Sequence, residues 1–169
     1  MKSRGKLLFS YRLTEGAFSG VERKDTGVFF YLKNSTEPNL ELGAVVGFRM
    51  KRGKVVEKFG KGSFDSDKIR QQMERIAFEP FDYKAEVKRV KAILQEEAKR
   101  SGYQIIPPFA LDGGDYEIRY VYGSVDYTLN WENPMTDMEF YARYSPKIAK
   151  LKALIDCFAQ SCGREELNL

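Results

Sequence analysis

The cleanest alternation of apolar and polar positions runs through residues 115–122, DYEIRYVY. Tyr116, Ile118, Tyr120 and Tyr122 fall on one face of an extended chain, and Asp115, Glu117 and Arg119 on the other. Gly123-Ser124 follows, and glycine at the first central position suits a two-residue primed turn. That turn sets Tyr122 opposite Val125, so Val125, Tyr127, Leu129 and Trp131 share the face of the first strand's aromatics. Turn chemistry and apolar register agree. Residues 132–135 read as the next turn. Beyond it the alternation predicts a third strand, with Met138, Phe140, Ala142 and Tyr144 on the same face. Ile118, Leu129 and Met138 then form one layer across the sheet, and Arg119, Thr128 and Glu139 a solvated layer on the opposite face. Ser145-Pro146 opens a helix, since the serine hydroxyl can accept an orphan N–H and proline has no N–H to lose at the first helical position. Ile148, Leu151, Ile155, Phe158 and Cys162 make its apolar stripe, expected to lie across the aromatic face of the three strands, and Gly163 is its expected stop.

The first third reads as a meander of about five strands. Residues 6–13 place Leu7, Phe9, Tyr11 and Leu13 on one face. Residues 17–24 form a second, less regular strand. Asp25-Thr26-Gly27 reads as a turn, and residues 28–33 as a strand apolar on both faces. Leu40, Leu42, Ala44, Val46, Phe48 and Met50 then alternate along a strand that turns at Arg52-Gly53 and returns over residues 54–59. Two helices follow. Ile69, Met73 and Ile76 mark the first, which Pro80 terminates. Asp82 caps the second, with Tyr83, Val87, Val90, Leu94 and Ala98 on its buried face. Residues 103–106 read as a short strand that Pro107-Pro108 prevents from extending. Strands, helices, strands and a final helix imply an α+β fold of antiparallel meanders packed on about three helices, rather than a parallel α/β sheet. The expected organisation is a single domain, possible in two lobes with a boundary near residues 102–114.

Composition narrows the function more than it shapes the fold. Among 169 residues, 43 % hydrophobic and 14 % aromatic, no apolar run approaches the roughly 20 residues that span a bilayer. Leu7-Leu8-Phe9 is too short for the core of a signal peptide. The expected compartment is therefore the cytoplasm. Cys157 and Cys162, five positions apart on one helix, point in different directions and are not expected to bond to each other. The chain contains no histidine, which removes the commonest neutral-pH base and transition-metal ligand. Ser-His-Asp and Cys-His nucleophile systems are thereby excluded within the chain. No phosphate-cradling loop or dinucleotide fingerprint occurs. Asp112-Gly113-Gly114-Asp115 lacks the further oxygen ligands of a calcium loop. Asp82 with Glu86-Val87-Lys88 imitates a nuclease string, but on a helix rather than on the adjacent strands such a site requires. Neither a cofactor nor a metal is expected.

Two features could mediate binding. Lys51, Arg52, Lys54, Lys58 and Lys61 cluster around one β-turn, where a basic ribbon can meet phosphates. The same lysines would equally guard an edge strand against pairing. The net charge of +4 permits a nucleic-acid partner without indicating one. Ten tyrosines, twelve phenylalanines and Trp131 exceed what core filling requires, and tyrosine and tryptophan favour protein interfaces. The expected outer face, Arg119, Asp126, Glu139, Tyr141 and Arg143, is the second candidate. The sequence thus implies a small, non-enzymatic binding protein that acts through protein–protein contact, as an adaptor or inhibitor. The alternative is a nucleic-acid-binding protein that uses the basic hairpin.

Overall fold

A computed structural model describes residues 6–16, 23–32, 42–51, 54–59, 66–107, 114–131 and 135–161. The fold is α+β. Strands β1 (Lys6–Gly16), β2 (Arg23–Leu32), β3 (Leu42–Lys51), β4 (Lys54–Phe59), β5 (Gly114–Tyr122) and β6 (Val125–Trp131) form one antiparallel sheet in the order β4-β3-β2-β1-β5-β6. Helices α1 (Ser66–Ile76) and α2 (Tyr83–Ser101) lie between β4 and β5 in the chain, and α3 (Met135–Ala142) and α4 (Pro146–Ser161) follow β6. The two meanders meet where β1 pairs with β5, from Phe9 opposite Tyr120 to Glu15 opposite Gly114.

The β5–β6 hairpin has the register its alternation dictates: Ile118 opposite Leu129, Tyr120 opposite Tyr127, and Tyr122 opposite Val125. Gly123, with φ of 60°, supplies the left-handed conformation of the turn. In β1 the register shifts between Leu7 and Phe9, and this bulge leaves the adjacent Leu8 and Phe9 both fully buried.

Several expectations are corrected. Asp25-Thr26-Gly27 is not a turn. It runs extended within β2, held by Thr14, Leu13 and Arg12 on one side and by Met50, Arg49 and Phe48 on the other. Pairing along both edges outweighs the local turn preference. Residues 23–32 thus form one strand where a turn was expected, and the first meander has four strands among the described residues; residues 17–22, most of the expected second strand, lie outside them. Residues 103–106 belong to no strand. The expected third C-terminal strand is helix α3, which raises the helix number from about three to four among the described residues. Its eight residues fit both periods, since Met138 is followed by Phe140 and Ala142 at strand spacing and by Tyr141 and Ala142 at helical spacing. Met138 and Tyr141 are buried, so the helical period prevails. Asp137 in the first turn complements the helix dipole.

The core lies between the sheet and α4. Phe158 stacks on Phe9 at 4.3 Å between ring centroids and meets Phe30 edge-on at 4.9 Å. Tyr120 tilts against the same ring at 6.4 Å. Helix α4 therefore crosses β1, β2 and β5, the middle of the sheet, rather than the C-terminal strands alone. Its stripe is broader than expected, with Leu154, Cys157 and Ala159 buried beside Ile148, Leu151, Ile155 and Phe158. Cys162 and Gly163 lie outside the described residues. The Cys157 thiol donates to Gln72 Oε1 at 3.0 Å, joining α4 to α1, and burial pushes its pKa up to about 11.

Helix α2 joins α4 through a buried carboxylate. Glu86, at 8 % side-chain exposure, accepts from Ser145 Oγ at 2.5 Å and from Arg89 Nη2 at 2.6 Å and Nε at 3.0 Å. Ser145 Oγ also accepts from the Ile148 N–H at 3.3 Å, the capping role its sequence position predicts.

Candidate binding site

Helix α2 is fixed at both ends by its sequence. Asp82 Oδ1 accepts the Ala85 N–H at 3.0 Å. At the other end Gly102, with φ of 72°, turns the chain left-handed and donates its N–H to the Ala98 carbonyl at 2.9 Å. Residues 103–107 then run back beside the last turns of the helix without joining the sheet. Between the two lies a groove of about 570 Å³. Leu94, Ala98, Tyr103, Ile105 and Pro107 give it apolar surface, and Lys91, Gln95, Lys99 and Gln104 complete the lining. Tyr103 is 79 % exposed and the neighbouring Ile106 is 74 % exposed.

Two lysines, Lys91 and Lys99, line this groove. Lys84, Lys88 and Lys91 are exposed at helical spacing on one face of α2. Glu86 does not dilute them, because it is turned inward to Ser145 and neutralised by Arg89. Lys99 is paired with Glu96 at 2.8 Å. Lys91 Nζ lies 5.9 Å from the centre of the Tyr141 ring, connecting the lysine face to α3.

Behind this face is a cluster of buried polar atoms. Tyr83 Oη, Tyr127 Oη, Trp131 Nε1 and Asp137 Oδ1 have no hydrogen-bond partner among the described residues. The Tyr83 and Trp131 rings meet edge-on at 4.5 Å. Burial raises the pKa of both tyrosines, with Asp137 adding to the effect at Tyr83 and Asp82 at Tyr127, so both phenols are neutral. Burial also raises the Asp137 carboxyl, and the Lys91 charge acts against it.

The residues expected to bind do not form one surface. Lys51 and Lys54 face each other across the β3–β4 hairpin, which forms as expected, and Lys54 is exposed. Lys58 is placed on β4 by the backbone register, whereas Arg52 and Lys61 lie outside the described residues. Arg119 is exposed on β5, opposite Thr128, and pairs with Asp126 at 3.4 Å. Glu139 and Arg143 are exposed too, but on α3 and the turn after it, not beside Arg119 on the sheet. Tyr141 is 3 % exposed and belongs to the core, because α3 turns it inward where a strand would have turned it out. The 103–107 segment was expected as a short strand stopped by prolines, not as one wall of a groove. Its signal was an apolar run placed between a helix-stopping glycine and a proline pair, with no partner strand to receive it.

Among the described residues, no helix is long and apolar enough to cross a membrane and no group of acidic or cysteine side chains could hold a metal. No protein-family model, curated protein or solved structure matches the chain.

Proposed function

We propose that this is a non-enzymatic binding protein of the adaptor or inhibitor type, and that it receives a partner protein in the groove at the C-terminal end of α2. The observation that carries this reading is the exposure of Tyr103 and Ile106 beside that groove. Covering such side chains is worth roughly 1.5–3 kcal/mol each. Lys91, which lines the groove, favours a partner segment in which an apolar side chain is flanked by a carboxylate. The lack of histidine in the sequence supports binding over catalysis.

The test is affinity capture from the native host after nuclease treatment, comparing the wild type with a Tyr103→Ala, Ile106→Ser variant. Both positions are exposed, so the variant is expected to keep its fold within about 0.5 kcal/mol. Proteins held by the wild type and lost by the variant are the expected result. Equal retention by both would remove the groove from consideration.

The nucleic-acid reading has its own support in the closed β3–β4 hairpin, with Lys51 opposite Lys54. In a parallel capture without nuclease, recovery of nucleic acid that charge reversal at Lys51, Arg52 and Lys54 abolishes would favour it over the groove.

A further inference from the structure

The two outer strands of the sheet are β4 and β6, and they are protected differently. Strand β4, KVVEKF, carries Lys54 and Lys58 and is followed by Lys61. Lysines on an edge oppose pairing with another sheet. Strand β6, VDYTLNW, has no lysine and no proline. Its register with β5 runs from Trp131 to Val125 without a bulge. Its single charge, Asp126, is engaged by Arg119 within the same hairpin. Tyr127 and Leu129 are buried on its inner face and Asp126, Thr128 and Asn130 are exposed on the other. Among the described residues no strand lies beyond it. A seven-residue, regular edge with none of the usual guards among the described residues offers a row of backbone donors and acceptors to another strand.

We propose that β6 pairs antiparallel with β6 of a second copy, about a two-fold axis at Thr128. The sequence of the strand is self-complementary in that register. Asp126 meets Asn130 of the other copy, so a carboxylate faces an amide and no like charges oppose one another. Thr128 meets Thr128, a hydroxyl pair of the kind that stabilises sheets. On the inner face Tyr127 meets Leu129, and Val125 meets Trp131, a β-branched residue against an aromatic one. An axis at Asp126 would instead oppose two carboxylates. Registers with an axis at Tyr127 or Leu129 leave part of the strand unpaired, whereas the Thr128 axis pairs its whole length. A two-fold axis normal to the sheet keeps inner face next to inner face, so the helices of both copies cover the same side of one continuous sheet.

The test is sedimentation equilibrium of the full chain, with wild type, Thr128→Lys and Thr128→Cys. The wild type is expected at twice the chain mass. Thr128→Lys, which sets two ammonium groups across the axis from an exposed position, is expected at the mass of one chain. Under mild oxidation Thr128→Cys is expected to become a covalent dimer, since paired strands bring the two Cα atoms within disulfide range. Glu117→Cys, exposed on β5, serves as the control that stays uncrosslinked. A wild type of single-chain mass at every concentration overturns the proposal. So does a dimer that Thr128→Lys leaves intact and Thr128→Cys fails to crosslink. If Thr128→Lys does not fold, the crosslink alone decides.

Discussion

Glu86 illustrates how one residue can be misread by charge and rescued by geometry. In sequence it stands between Lys84 and Lys88; in the fold it points away from them, to Ser145. Hydrogen bonds from Arg89 and Ser145 hold its carboxyl down at about 2, against a burial that acts in the opposite direction. A carboxyl lowered in the folded state contributes its stability above the unfolded value of 4.5 and loses it as pH falls from there towards 2. Glu86→Gln is therefore expected to cost about 1.5–3 kcal/mol near neutral pH. That difference from wild type should close as pH drops through the same window, as urea unfolding at a series of pH values would show. Tyr127 makes the opposite prediction. Its buried hydroxyl has no hydrogen-bond partner among the described residues, and such a group costs about 1–3 kcal/mol. Tyr127→Phe is expected to hold or raise the melting temperature. A clear fall would mean that a molecule bound in the cluster completes the hydroxyl's bonding.

At the scale of elements, legibility followed the number of independent signals. The β5–β6 hairpin and α2 each carried several: period, turn or cap residues, and matched register. Both formed as read. The Asp25-Thr26-Gly27 segment carried one strong local signal, which two flanking strands overrode. Helix α3 was illegible for a different reason, because eight residues cannot separate a period of 2 from one of 3.6 when both place apolar residues inward. The candidate groove was not visible in sequence, since a concave surface arises from where the 103–107 segment is laid. Helix α2 also offers a test of its own boundaries. Asp82→Ala removes the N-cap at a cost of about 1 kcal/mol. At Gly102, with φ of 72°, an added Cβ meets nothing within 4 Å. The cost of Gly102→Ala is then backbone strain, about 1 kcal/mol. The two sites share no partner, so the double variant should lose close to the sum.

At the scale of the whole molecule, residues 102–114 looked like a seam between two lobes, and the pairing of β1 bears directly on that. This strand lies between β2 from its own half and β5 from the other, its register unbroken with β5 and shifted once with β2, between Leu7 and Phe9. Phe158 of the last helix packs on Phe9 and Phe30 from the first two strands. Lys150 Nζ donates to the Ala77 carbonyl at 3.2 Å, a further tie from α4 to the end of α1. Each half thus provides core surface the other needs. A fragment of residues 1–107 would expose one edge of β1 together with Leu8, Phe9 and Phe30, all fully buried in the intact chain. Losing the Phe158 ring alone is worth about 3–5 kcal/mol, a large part of the total stability of a typical domain. The fragment is expected to lack a cooperative unfolding transition and dispersed amide resonances on its own. Both should return when residues 108–169 are supplied as a second fragment, because the missing strand and helix can still dock. Well-dispersed resonances from residues 1–107 alone would mean that the first meander carries a sufficient core of its own.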